Sequence, residues 1–368
     1  MVESAPFTAE EEHVSSKGIL VTGVPGFIGK RLVRRLMPQG RPLYLLSEAR
    51  FQRDAETMAR QLDPEGEQLH VVTGDITQNE LGLAKEADRV RDEVDEVYHL
   101  AAVYDLAVPE DVARRVNVVG TGKVLKFLRS FPGEVRHNYV STCYVSGKRT
   151  GMVFEDELDR GQEFKNHYES TKFAAEVLVE RSKRDLETRI FRPAIVIGDS
   201  KTGETQKFDG PYPTFGAVMM GWMVMIPAPG NGRPNLVPVD HIIDCLAEIP
   251  RQPDTAGKTF QLADPSPLTS RELVELVAER LGAPRPRLSL PEGIFRALFK
   301  VDKLVELSGL SAESLPYFNH YVIYDTTNTR AALRGTGIEC PPLRSYLNQI
   351  LRYYRDRVDL PWRFDTPA

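Results

Sequence analysis

The chain has 368 residues, with 47 Lys plus Arg against 52 Asp plus Glu for a net charge of −5, and 41% of it is hydrophobic. That length exceeds one ordinary domain and supplies a real core, and the composition excludes wholesale disorder, collagen-like and coiled-coil classes. Basic residues interspersed with acids also lack the electrostatic footprint of a dedicated nucleic-acid binder.

In chain order, residues 1–16 (MVESAPFTAEEEHVSS) are polar and acidic, without the profile of a signal peptide, and are expected to form a mobile arm. From Lys17 to about Gly198, short aliphatic runs alternate with helical periodicity, the pattern of βαβ units and a mostly parallel sheet. Strands are expected at GILVT (18–22), PLYLL (42–46), LHVVT (69–73), EVYHL (96–100), HNYVS (137–141) and TRIFR (188–192). Between the first two, Ile28, Leu32 and Leu36 recur every four residues, with Lys30, Arg31, Arg34 and Arg35 on the other face, which predicts an amphipathic helix.

After Gly198, glycines and prolines punctuate a stretch of little periodicity, read as loops and short helices over a site. A sheet-like return follows at NLVPV (235–239) and TFQLA (259–263), then a helix over Ser270–Leu281. The uncharged run Gly216–Ile226 falls short of the roughly 20 residues that span a bilayer, so no transmembrane segment is expected. Its methionines and Trp222 suit either an acyl-chain channel or ordinary core. Ile294, Phe295, Leu298 and Phe299 suit either a lid or interfacial helix in peripheral membrane contact, or packing on the body. The cysteines, Cys143, Cys245 and Cys340, lie far apart, which fits neither a disulfide framework nor a metal site. No metal and a reduced, cytoplasmic setting are expected.

Gly23, Gly26 and Gly29 stand in TGVPGFIG, directly after a strand and opening a helix. Glycine there keeps side chains away from a pyrophosphate and lets helix and strand pack closely, so a dinucleotide is expected at this turn. At the end of the second strand, Glu48 favours NAD(H), since its charge would repel a 2′-phosphate, whereas Arg50 or Arg53 would favour NADP(H). All three also suit solvated loop charges. Asp75, after the third strand, suits an adenine contact or a helix cap.

Tyr168 and Lys172 form YESTK, an i, i+4 pair on one helix face. A nearby ammonium is expected to lower the phenol pKa so that it passes a proton at neutral pH. Ser141 and Thr142 close a strand whose hydroxyls can donate to a substrate carbonyl, or cap the next turn.

With these motifs the chain resembles the extended short-chain dehydrogenase/reductase superfamily over residues 17–265. The resemblance rests on TGVPGFIG, GDIT (74–77), HLAA (99–102), NVVGT (117–121), VSTCYVSG (140–147), YESTK, FRPAIVIG (191–198) and VPVDHI (237–242). It implies an α/β fold, a Rossmann-type doubly wound parallel sheet with a smaller mixed, mainly helical C-terminal substrate-binding part. The nucleotide-binding body is expected over 17–205 plus about 234–264, and the substrate part over 206–233 plus 265–368.

The resemblance also implies Tyr168 as acid/base, Lys172 as its partner and ribose ligand, Thr142 with Ser141 on the substrate, and Asn117 supporting the proton relay or local structure. Gly23, Gly26, Phe27, Ile28 and Gly29 would hold the pyrophosphate and Asp75 with Ile76 the adenine. Ala101 and Ala102 would floor the cofactor, and Pro193 would complete its contacts. His99 and Cys143 sit beside the site and are assigned packing. Within the superfamily the chain looks most like the male-sterility or fatty acyl-CoA reductase type and the thioester-reductase domains, on STCYVSG, EDEL (155–158) and KFDGPYP (207–213). Those reductases use NADPH and usually carry Arg where Glu48 stands.

The implied reaction is hydride transfer to a carbonyl or acyl thioester carbon. A hydroxysteroid-like dehydrogenase, a nucleotide-sugar epimerase and a non-catalytic dinucleotide-binding regulator are the alternatives. A dimer is compatible with the sequence, which does not fix the oligomeric state.

Overall fold

The computed structural model describes residues 17–105, 107–223, 225–286, 288–291, 293, 317, 319–359 and 362–364. The expected N-terminal arm and the Ile294–Phe299 segment lie outside them.

Seven strands, β1 (Gly18–Thr22), β2 (Leu43–Ser47), β3 (Leu69–Thr73), β4 (Val94–His99), β5 (Arg136–Val140), β6 (Glu187–Pro193) and β7 (Thr259–Leu262), form one sheet. Its order is β3-β2-β1-β4-β5-β6-β7, and every pairing is parallel. β1 and β2 are buried along their whole length, as parallel strands covered on both faces must be. The strand order reverses between β1 and β4, which opens a crevice at the C-terminal strand ends.

Helices cover both faces. α1 (Phe27–Leu36) and α2 (Gln52–Leu62) bury Leu32, Val33 and Met58 on one side, while α3 (Glu86–Glu93), α4 (Glu110–Ala113), α5 (Thr121–Leu128) and α6 (His167–Ser182) cover the other. α4 runs into α5 through a π-helical stretch, Arg114–Gly120.

A second core joins α7 (Tyr212–Met219) to α9 (Ser270–Arg280) and the C-terminal helix, while α8 (Val239–Glu248) returns to pack on α1. Phe215, Met219, Met220 and Met223 are buried, so these side chains of the Met-rich run are core, whereas Trp222 is exposed. Leu236–Pro238 pairs with Ile195–Ile197 rather than joining the central sheet.

Gly151–Val153 pairs with Val322–Tyr324, and Val322, Tyr324 and Leu333 enter the same core as α1. The stretch around 322–333, which the sequence pattern groups with the substrate part, therefore packs against the body. α10 (Thr327–Ala332) is held there by the buried Glu155, which accepts from Gln261 N at 2.8 Å, Thr329 N at 3.2 Å, Thr329 Oγ1 at 2.8 Å and Asn328 N. α11 (Leu343–Arg355) closes the second core with Leu347, Ile350 and Leu351. No helix among the described residues is long and apolar enough to cross a membrane.

Candidate active site

The glycine-rich turn folds back on itself directly after β1. Gly23 has φ +82°, and a Cβ on it would lie 2.9 Å from Ala101 N. A Cβ on Gly26 or Gly29 would lie 2.8 or 2.6 Å from Gly23 O. Any larger residue would thus push this turn out of the crevice. Gly26 caps α1 with no side-chain hydrogen bond, so the first amides of α1, from Phe27 onward, remain available to an anion. Phe27 and Ile28 are half-buried behind it, and Ala101 and Ala102 follow β4 on the far side of the crevice. These features fit a dinucleotide pyrophosphate.

Glu48 follows β2, and its carboxylate pairs with Arg50 Nε at 2.7 Å. Arg50 is thereby partly neutralised, and Arg53 is exposed on α2. Asp75 accepts from Thr77 N and Oγ1, both at 2.8 Å, so it does cap its own loop. Burial works to raise its carboxyl, but the Thr77 and Gln78 hydrogen bonds outweigh it and keep the carboxylate below its ordinary pKa. Ile76 is buried against Gly120 of the π-helical stretch, where a Cβ would lie 2.8 Å from its Cδ1. Its side chain packs there.

The second half of the crevice is built by the end of β5 and the start of α6. Asn166 caps α6 by accepting from Glu169 N at 3.0 Å, which fixes the first turn carrying Tyr168. Asn117 is buried; its Oδ1 accepts from Val103 N at 2.9 Å and its Nδ2 donates to Thr171 Oγ1 at 3.1 Å. It ties the segment after β4 to α6 between the two catalytic candidates.

Thr142 caps a short turn, accepting from Tyr144 N at 3.3 Å, and its hydroxyl stands beside the Tyr168 phenol, whose pKa it lowers. The expected cap is thus formed, by a hydroxyl that also neighbours Tyr168. It also lies 3.4 Å from Pro193 O, at the end of β6. Ser141 differs from the expectation: its hydroxyl donates to the buried Glu176 and so faces the protein interior rather than a substrate.

Two electrostatic expectations change sign or partner. Burial, followed by the neighbouring Tyr104, pushes the Tyr168 phenol above its ordinary pKa, and the Thr142 hydrogen bond offsets only part of this. Lys172 turns its Nζ elsewhere, donating to Val140 O at 2.9 Å and Tyr139 Oη at 3.1 Å. Burial lowers Lys172 to about 8, against the raising influence of Glu176 one turn further on.

Above Tyr168 lies an apolar cleft walled by Tyr104, Tyr144, Tyr317, Ile195, Leu236 and Leu273. Tyr104 meets Tyr168 edge-on at 5.2 Å, and Tyr144 meets Tyr317 likewise at 5.0 Å. Tyr317 Oη donates to Glu169 Oε1 at 2.6 Å and accepts from Asn166 Nδ2 at 3.0 Å, so its ring rather than its hydroxyl faces the cleft. Sequence reasoning missed all three wall tyrosines. Tyr144 stands inside VSTCYVSG and Tyr104 two residues after HLAA, but nothing local marks Tyr317.

A family model described as male sterility protein, of NAD-binding type, matches residues 21–246. The chain is 24% identical over 363 residues to a linear gramicidin synthase of Brevibacillus parabrevis, covering 91% of this chain and 7% of that protein. It is 26% identical over 278 residues to fatty acyl-CoA reductase 1 of Xenopus laevis, covering 63% of this chain and 54% of that one. Among solved structures, the terminal R domain from the myxalamid PKS-NRPS biosynthetic pathway superposes with a TM-score of 0.79 at 26% identity, covering 93% of this chain and 91% of that chain. The curated relatives are longer proteins, of which this chain spans only a part.

Proposed function

The chain belongs to the male sterility protein family, whose model is of NAD-binding type, and from that premise we propose that it is an NAD(P)H-dependent reductase of an acyl thioester. The observation that carries this reading is Tyr168 at an apolar cleft, with the Thr142 hydroxyl beside its phenol, next to the crevice at the strand ends. The names of the similar proteins, a fatty acyl-CoA reductase and a synthase-associated reductase domain, support an acyl or carrier-bound thioester as substrate.

The α1 N-terminus at Gly26–Gly29 would hold the pyrophosphate, Asp75 the adenine, and Lys172 the nicotinamide ribose. The bound cofactor supplies the hydride. Thr142 and Tyr168 polarise the thioester carbonyl and stabilise charge developing on its oxygen. Tyr168 gives its proton to that oxygen as the carbonyl carbon accepts the hydride. As the resulting hemithioacetal breaks its C–S bond, the hydroxyl proton returns to Tyr168 and the departing thiolate takes a proton from solvent, giving aldehyde and thiol. Burial keeps Tyr168 protonated, as the proton donor of this step must be.

Glu48 supports NADH over NADPH, since its carboxylate stands at the end of β2 and already engages Arg50. The test is a titration with NADH and NADPH followed by turnover on an acyl-CoA panel. Tyr168→Phe should lose at least about a hundredfold in turnover with cofactor binding retained. Unchanged turnover in that variant overturns the assignment.

A further inference from the structure

A buried row of polar side chains connects the glycine-rich turn to Lys172. Thr22 on β1, His99 on β4 and Tyr139 on β5 are register partners across three adjacent strands, and none is more than 1% exposed. His99 Nδ1 lies 3.0 Å from Thr22 Oγ1, and His99 Nε2 lies 3.2 Å from Thr121 Oγ1 at the start of α5. The Tyr139 ring tilts against His99 at 5.6 Å, and its Oη accepts from Lys172 Nζ at 3.1 Å.

Hydrogen-bond valence fixes the proton positions along this row. Thr22 Oγ1 already accepts from Leu100 N at 3.1 Å and Ala101 N at 3.0 Å. With both lone pairs used, its own proton goes to His99 Nδ1. A neutral imidazole accepting at Nδ1 carries its proton on Nε2 and donates it to Thr121. The opposite tautomer would aim an N–H at a filled acceptor.

The surroundings keep the ring neutral. His99 stacks on His137 at 6.5 Å and tilts against Tyr139 at 5.6 Å. Burial, then His137 and Lys172, push it well below the ordinary histidine pKa, and no carboxylate among the described residues offsets them. Packing alone does not call for a side chain whose two nitrogens are both committed.

We propose that His99, neutral and protonated at Nε2, is a positioning residue that ties the Thr22–Ala101 backbone to Thr121 by hydrogen bonds and, through the packed Tyr139 ring, to Lys172. This rests on the reading of Lys172 and the glycine-rich turn given above. Both halves of the active site, on opposite sides of the strand reversal, are thereby held in register through the sheet.

The first test is nitrogen-15 NMR of the full chain labelled at its seven histidines, with His99→Gln identifying the His99 signals. The expected pattern is a neutral Nε2–H imidazole that does not titrate between about pH 5.5 and 8.5. An Nδ1–H tautomer or a titrating ring overturns the proposal.

The second test cuts the row on either side of the ring. Thr121→Val should lower kcat about tenfold and shift its pH profile, with cofactor Kd nearly unchanged. Thr22→Val should instead weaken cofactor Kd about tenfold. If Thr121→Val lowers Tm but leaves kcat and its pH profile intact, the row is merely structural and the proposal fails. Full turnover by Tyr168→Phe would instead sink the reductase reading, and the tautomer measurement stands apart from that result.

Discussion

Glu176 stands one helical turn beyond Lys172 and receives Arg192 Nε and a terminal guanidinium nitrogen on a single oxygen, at 2.8 and 2.6 Å. Its other oxygen takes the Ser141 hydroxyl. Glu176, Arg192 and Lys172 are all buried, so one carboxylate serves two cations beneath the active site. Lys172 therefore balances burial, which lowers its pKa, against Glu176, which raises it.

With Lys172 at about 8 and Tyr168 raised by burial, Lys172 is the first of the two to lose its proton as pH rises. Turnover should thus fall above about pH 8. Glu176→Gln removes the raising influence, so this limb of the kcat profile should move to lower pH. The same variant leaves Arg192 buried without its counter-ion and should cost about 3–5 kcal/mol in urea unfolding. A profile unmoved by the substitution would show that Glu176 does not govern Lys172.

Thr142→Val removes a hydroxyl that meets the Tyr168 phenol and also caps the following turn. Turnover should drop about a hundredfold, and stability by about 1 kcal/mol. Thr142→Ser should restore most of both. Steady-state kinetics and thermal melts on the two variants separate catalysis from capping.

Glu48→Gln removes the charge opposing a 2′-phosphate and releases Arg50 from its 2.7 Å pair. The NADPH to NADH ratio of kcat/KM should rise by about tenfold. A ratio that stays put would place cofactor choice elsewhere in the crevice.

Gly29→Ala puts a methyl 2.6 Å from the Gly23 carbonyl, a backbone atom that cannot swing aside. Displacement of the turn should weaken cofactor binding at least about tenfold and cost about 1–3 kcal/mol of stability. Titration and calorimetry on the purified variant measure both.

Much of the body was legible because buried parallel strands read as short apolar runs with one register each. All six expected runs overlap strands of the central sheet, and TFQLA supplies β7. The YESTK pair was equally legible, since i, i+4 spacing on a helix is a local geometry. The electrostatics were not, because Lys172 is directed by Val140 and Tyr139, which lie on a strand some thirty residues earlier. Ser141 misled for the same reason: its partner Glu176 is 35 residues away. Tyr317 reaches the cleft only through the long-range fold, and its bond to Glu169 spans 148 positions.

The Glu155 carboxylate also sets an order on synthesis. The central sheet is complete once Leu262 has emerged, yet three of the four donors to that buried carboxylate come from residues 328 and 329. A nascent chain that has finished its nucleotide-binding sheet still lacks most of the donors that this carboxylate takes in the folded protein. A fragment cut after β7 should therefore be less stable than the full chain.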